Sequence, residues 1–276
     1  MLRFDKIYHP HTARPYLSGE EYQEHRPGDR LRPYVACYWT MPGAMSRTYE
    51  TKDVLVVPDT CMDILVRVNH TQQKISAYLC CMQDHPFLSG QTENEESISF
   101  FAIRFYFWSA HLFLNLNFKG TGNQMINIDA LGREWSELFE PFFYITAVEE
   151  RIAWTETFLL RKLVHADLNA DLFNSIERML NIPGRATVKD VCEYSCVSQR
   201  QMERLFLQKI GLPLKRVYNL IRYQNVWNDM VTASGFHVQD AVFRYGYTDQ
   251  AHLLKEFKRF HGVTAAEARK IAWRNR

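Results

Sequence analysis

An internal repeat in the last ninety or so residues constrains this chain more than any other feature. The segment VKDVCEYSCVSQRQMERLFLQKIG begins at Val188, and VQDAVFRYGYTDQAHLLKEFKRFHG begins at Val238. Counted from Ser198 and Asp249, the same offsets hold four times: +4 is Met202 or Leu253, +6 is Arg204 or Lys255, +8 is Phe206 or Phe257, and +13 is Gly211 or Gly262. The second copy carries one extra residue in its turn. Each copy reads as a short helix, a tight turn and a longer helix that begins polar and becomes amphipathic, which is the layout of a helix-turn-helix. Thr187, Ser198 and Asp249 are placed to cap helix N-termini, and Gly211 and Gly262 to stop helices. From Asp171 to the end the chain reads as helix and turn.

The whole-chain charge hides a partition. The 276 residues carry a formal net charge of +2. Residues 171–276 hold 17 Lys and Arg against 10 Asp and Glu, a balance of +7, whereas residues 1–170 hold 16 against 21, a balance of −5. A basic half behind an acidic one points to a polyanionic partner for the basic half. The length fits two domains, and 46% apolar residues suffice to give both a core. The six cysteines include no CxxC pair and read as reduced thiols, and the N-terminus lacks the continuous apolar core of a signal peptide. The most apolar stretch, Ile98 to Leu116, is broken by Arg104, Ser109, His111 and Asn115, so it fails as a membrane span. The expectation is a soluble cytoplasmic protein with no membrane partner.

On the first long helix Met202, Leu205 and Phe206 share one side, while Arg200 and Arg204 point the opposite way. A helix whose N-terminal end presents Arg and Gln suits the major groove, where Arg pairs with guanine and Gln with adenine. Ser198, Gln199, Arg200, Gln201, Glu203 and Arg204 are the candidate DNA-contacting residues of this copy. Taken singly they also read as solvated side chains, with Arg200 and Glu203 a surface pair and Ser198 to Gln201 a capping box. The second helix is poorer in base-reading groups: Ala251 stands where Arg200 stands, and Leu254 where Glu203 stands. Asp249, Gln250, Ala251, His252, Lys255 and Arg259 are its candidates, suited to phosphate positioning and an apolar contact with a thymine methyl. Two copies in register within the basic half favour double-stranded DNA as the partner.

Residues 1–129 carry short β-rich runs, Val54 to Val57, Ile64 to Val68 and Ile98 to Phe107, at the spacing of a sandwich or small barrel. From Ala130 a helical pattern begins with Trp135, Leu138 and Phe139. It continues through Ile152, Phe158, Leu159 and Leu163 to near His165, so 130–170 is expected to be a helical connector and a candidate dimerisation segment. In the run Ile98 to Phe107, alternation puts Arg104 on one face with Phe100, Ala102 and Tyr106. A buried Arg needs a partner. One reading is an ion pair with Asp59 or Asp63; the other is an anchor for an anionic small molecule, with Trp39 among its aromatic walls.

The residues SQRQMERLF followed by Gly211, then Tyr218 and Arg222 on the helix between the copies, and finally GYTDQAHLLKEFKRFHGVT, resemble the AraC/XylS type of transcriptional regulator. The resemblance covers about the last 90 residues. It implies a DNA-binding domain over 171–276, with two helix-turn-helix units joined by a long helix. Three departures stand out: Cys196 where the family usually has Gly, Cys192 where Ala is usual, and Ala265-Ala266 in place of a Thr-Pro step. A turn position that takes Gly implies positive φ, which costs more for a residue with a Cβ. In the first half, RPGDRLRPYVACYW and VVPDTCMDILV resemble the cupin-like sensor domain that precedes such DNA-binding domains. The expected fold is therefore α+β: a β-rich cupin-like barrel or sandwich, a helical connector and an all-α domain with two helix-turn-helix units.

A catalytic cupin needs a cluster of His and carboxylate ligands, yet the only HxH is His9-Pro-His11, ahead of the strand region, and the other histidines are scattered. Cys192 and Cys196 have no neighbouring ligands in the sequence. Neither a metal centre nor another cofactor is expected. A cupin-fold enzyme, and a ligand-binding protein that turns its basic half to RNA or membrane, are the rival readings. The leading expectation is a non-enzymatic, sequence-specific regulator whose two recognition helices lie about 34 Å apart on one face of the duplex. RNA polymerase, a small-molecule effector and a second copy of the chain are the further partners it admits.

Overall fold

The computed structural model describes residues 3–11, 22–41, 54–89, 97–164, 168–233 and 235–274. Among the described residues the first half holds eight strands: β1 (Gln23–His25), β2 (Val35–Met41), β3 (Val54–Val56), β4 (Cys61–Asn69), β5 (Lys74–Cys80), β6 (Phe87–Ser89), β7 (Ile98–Tyr106) and β8 (Met125–Asn127). Six form one antiparallel sheet in the order β1-β2-β7-β4-β5-β8, and β3 pairs with β6. The short helix α1 (Ala110–Phe113) follows β7.

The centre of the sheet is β4 against β7, paired from Cys61 opposite Tyr106 to Asn69 opposite Ile98. Alternation along β7 puts Phe101, Ile103 and Phe105 on one face, all fully buried. That face is covered by α2 (Arg133–Phe139), a 3₁₀ turn over Glu140–Phe143 and α3 (Val148–Leu163). Phe142 meets Phe101 edge-on at 5.1 Å, and Trp135 meets Phe158 at 4.9 Å. Arg151 of α3 donates to the carbonyls of Ile145 and Phe142, both at 2.6 Å, and so fixes the entry into the helix. The helical segment expected as a connector thus supplies the lid of the sheet's core; His165, its expected end, lies outside the described residues.

Seven helices follow: α4 (Ala170–Asn181), α5 (Val188–Tyr194), α6 (Gln199–Lys209), α7 (Leu214–Thr232), α8 (Val238–Arg244), α9 (Gln250–His261) and α10 (Ala265–Arg274). The repeat appears as α5-turn-α6 and α8-turn-α9. Four residues separate the first pair of helices and five the second, so the extra residue does fall in the turn. All three expected caps form: Thr187 and Asp190 make a reciprocal capping box, the Ser198 side chain accepts from Gln201 N, and that of Asp249 accepts from His252 N. Gly211 has φ +90° and Gly262 φ +84°, the left-handed conformation that a helix stop needs.

Cys196 lies past the end of α5, in the turn, with φ +55°, and Gly246 occupies the matching turn with φ +64°. The two positions tolerate substitution differently. A Cβ on Gly246 would stand 2.3 Å from the Gly184 carbonyl oxygen, whereas Cys196 is exposed.

The two halves share one continuous hydrophobic cluster running from Phe4 to Ala272. Polar contacts reinforce the join: Gln224 of α7 donates to the Pro58 carbonyl at 2.5 Å and accepts from His11 N at 2.8 Å, and Arg216 pairs with Asp84 at 2.5 Å. His111 of α1 is half-buried against Phe173 of α4, and its two ring nitrogens, themselves buried, have no hydrogen-bond partner among the described residues. Burial, with Lys209 adding to it, holds its pKa down at about 3. Burial likewise lowers His261 to about 3.

Two predictions follow from these positions. Cys196→Gly relieves a Cβ in the left-handed region and is expected to raise stability by about 0.5 to 1 kcal/mol, while Gly246→Ala lowers it by more than that; urea denaturation measures both. Both histidines bind a proton more readily unfolded than folded, so their contribution is full above pH 6.5 and is lost as pH falls below it. Asp59, raised to about 6, acts in the opposite sense, because the folded state takes up its proton first. With the lowered carboxyls of Asp84, Asp190 and Glu267 acting in the same sense as the histidines, stability falls as pH drops from 6 to 4. In His111→Leu the loss of stability over that range, followed by urea denaturation at each pH, should be smaller than in wild type, and an equal loss would contradict the assignment.

Candidate nucleic-acid interface

The two longer helices of the repeat expose the same side. On α6, Met202 and Phe206 are fully buried while Gln199, Arg200, Gln201 and Arg204 face solvent. On α9, Leu253 and Phe257 are buried while Gln250, Ala251, His252, Lys255 and Arg259 are exposed. The apolar offsets shared by the two copies are therefore core positions, and the shared cationic offset, Arg204 or Lys255, is an outward one.

Several candidate side chains already have partners within the protein. Ser198 and Asp249 are spent on their own helices, each accepting the backbone N–H three residues on. Glu203 is half-buried and its carboxylate accepts from Leu214 N at 3.3 Å, capping α7. That capping bond holds the carboxylate between α6 and the start of α7. Gln250 donates to Gln239 Oε1 at 2.6 Å, which ties α9 to α8. Arg259 lies over the Phe260 ring at 4.4 Å and is 3.6 Å from Glu256. Among the described residues, Gln199, Arg200, Gln201 and Arg204 on one helix, with His252 and Lys255 on the other, project without such a bond.

The helix between the units sets their relation. Tyr218 of α7 donates to the Ile182 carbonyl at the end of α4, at 3.3 Å. One turn further on, Arg222 makes two hydrogen bonds to Glu256 Oε1 of α9, at 3.0 and 2.6 Å, and stacks over Tyr247 at 4.0 Å. Arg222 and Glu256 are both buried. A paired charge in such a place holds α9 to one position along α7, since either ion alone would be costly to bury.

The N-terminal half reaches the same surface. Lys119, in the loop between α1 and β8, lines a cleft of about 300 Å³ with Arg200, Glu203, Arg204, Leu207 and Gln208. It belongs to no periodic pattern, and its place beside α6 depends on how the halves dock.

Within the sheet, Arg104 sits between Cys37 on β2 and Asp63 on β4 in the register. Its guanidinium donates to both oxygens of Asp63, at 2.9 and 2.7 Å, and to the Tyr22 hydroxyl at 3.1 Å, with Asp59 at 3.7 Å. Trp39 Nε1 donates to the same Asp63 carboxylate at 2.8 Å. Burial, only partly offset by Arg104, pushes the Asp59 carboxyl up to about 6. Of the two sequence alternatives for Arg104, the carboxylate pair is what the structure contains. Among the described residues no group of three or more His, Cys, Asp or Glu side chains is placed to hold a metal ion, and no helix is long and apolar enough to cross a membrane.

Residues 191–271 match a family described as a helix-turn-helix domain, and residues 23–127 match a domain of unknown function (DUF6597). No curated protein matches the chain. Among solved structures, ToxT from Vibrio cholerae is 14% identical, with 85% of this chain and 98% of that chain covered at a TM-score of 0.43. Unsaturated fatty acid bound wild-type ToxT from Vibrio cholerae strain SCE256 is also 14% identical, covering 91% and 94% at a TM-score of 0.41. A transcriptional regulator (AraC-type DNA-binding domain-containing proteins) from Chromobacterium violaceum is 26% identical over 36% of this chain and 89% of its own, at a TM-score of 0.34. These structural likenesses are distant, whereas the family match spans both α6 and α9. Residues 191–271 are a helix-turn-helix domain, joined to an N-terminal domain built on an antiparallel sheet.

Proposed function

We propose that the chain is a sequence-specific, double-stranded DNA-binding transcription regulator that inserts α6 and α9 into successive major-groove segments on one face of the duplex. The observation that carries this reading is the matched exposure of two helices of the same repeat, outward residues polar and cationic, with α7 bonded to both through Leu214–Glu203 and Arg222–Glu256. Arg200, Gln201 and Arg204 read base edges, because a guanidinium or amide near the N-terminal end of a groove-lying helix reaches them. Ser198 and Asp249 set the helix N-termini, and Gln199 and Gln250 flank the groove. His252, Lys255 and Arg259 contact phosphate, and Ala251 is small enough to meet a thymine methyl.

The same reading assigns no catalysis and a cytoplasmic location, with the sheet-bearing domain over 1–129 tuning the DNA-binding domain over 171–276. Arg104 is committed to Asp63 and Asp59, so an effector reaching Trp39 there would meet carboxylate and aromatic surface. The segment 130–170 would pair two copies through the outward side of α3, where Ala153, Trp154 and Thr157 are exposed. RNA polymerase is the further partner on which a bound regulator acts.

Selection of bound duplexes from a random pool by the full chain tests the proposal; enrichment of a defined site is expected, and enrichment of none would sink it. On the selected site, Arg204→Ala should cost about 1 to 3 kcal/mol and relax preference at one base pair. Lys255→Ala should instead weaken matched and mismatched duplexes alike and reduce the salt slope by about 1. A selective change in base preference for Lys255→Ala would contradict the assigned division of labour.

A further inference from the structure

The loop between α1 and β8 is built to hold one lysine beside α6. Phe118 is fully buried, and its N–H donates to the carbonyl of Gln208 on α6 at 3.0 Å. Its own carbonyl accepts from Thr121 N at 3.0 Å and from the Thr121 hydroxyl at 2.8 Å, which closes the turn. The fit against α6 is close: a Cβ on Gly211 would stand 3.0 Å from the Phe118 carbonyl oxygen, and one on Gly122 would stand 2.7 Å from the Leu212 side chain. Asp84, which the Asn123 side chain reaches at 3.0 Å, pairs with Arg216 of α7 and ties the same loop down a second time.

Lys119 is the exposed residue at the tip of this anchored turn, and it faces the cleft it shares with Arg200 and Arg204. Among the described residues none of the three is within ion-pair distance of a carboxylate. Glu203 also lines the cleft, but its carboxylate is directed to Leu214 N. Three like charges converging on one open cleft repel one another until an anion enters. The strand of phosphates that borders a major groove passes beside any helix lying in it.

We propose that Lys119 binds a DNA phosphate next to the bases read by Arg200 and Arg204, so that the N-terminal domain is itself part of the DNA interface. The inference rests on the DNA-binding reading given above. It also gives that domain a direct means of control: whatever moves the Phe118 turn off α6 withdraws one phosphate contact from the complex.

The test is a salt titration of full-length protein on its selected duplex, comparing wild type with Lys119→Gln, Lys119→Arg and the exposed control Lys74→Gln. A single lost phosphate contact predicts that Lys119→Gln lowers the slope of log K against log salt by about 0.9, with a roughly five- to tenfold loss of affinity near 0.1 M salt. The loss should be the same on matched and mismatched duplexes, and Lys119→Arg and Lys74→Gln should keep the wild-type slope. Unchanged slope and affinity in Lys119→Gln, or a loss confined to one base substitution in the duplex, would overturn the inference while leaving the DNA reading intact. Wild-type protein that binds no duplex would overturn both.

Discussion

Everything proposed for this molecule depends on a buried ion pair, Arg222 with Glu256, packed under the ring of Tyr247. It joins the helix between the two units to the second recognition helix, at a point where neither charge has water to fall back on. Such a pair adds little net stability over an apolar replacement, but removing one partner costs about 3 to 5 kcal/mol. Its contribution is therefore to position: α9 sliding along α7 by one residue would leave two ions buried alone. Glu203 of α6 accepts from Leu214 N at the start of α7 and ties the first unit to the same helix, while Tyr218 ties it to the end of α4 through the Ile182 carbonyl. The same helix receives the other domain through Gln224 and Arg216. One helix thus fixes both recognition helices and the sheet-bearing domain relative to one another.

The features legible in the chain itself are those that rest on local physics. Caps at Thr187, Ser198 and Asp249 and stops at Gly211 and Gly262 satisfy the backbone groups at helix ends, and such needs recur within a few residues of each other. The strain at Cys196 was readable only through the family resemblance, in which that turn position usually takes Gly; its φ is +55°. Alternation placed Arg104 on the correct face of its strand but left its partner open, since Asp59 and Asp63 both lie within reach of the run. Only the register of β4 against β7 sets Asp63 opposite it.

What was not legible depends on long-range docking. Glu203 reads as a surface partner of Arg200 until α7 is seen to begin beside it. The periodicity of residues 130–163 shows an amphipathic helix, but not that its apolar side lies over Phe101. Phe118 and Lys119 sit in a loop with no period, and their roles arise only from the closeness of Gly211 and Leu212 on the other domain. The charge partition, −5 before residue 171 and +7 after it, likewise gave no sign that a cation of the acidic part stands beside the recognition helix.

The central claim is that two helices, held at a set spacing, lie in successive major-groove segments on one side of a duplex. Hydroxyl-radical footprinting of the full-length protein on its selected site measures this most directly. Two protected stretches, separated by one helical turn of about 10.5 base pairs and lying on the same face, are the predicted result. A single protected stretch, or two on opposite faces of the duplex, would contradict the account.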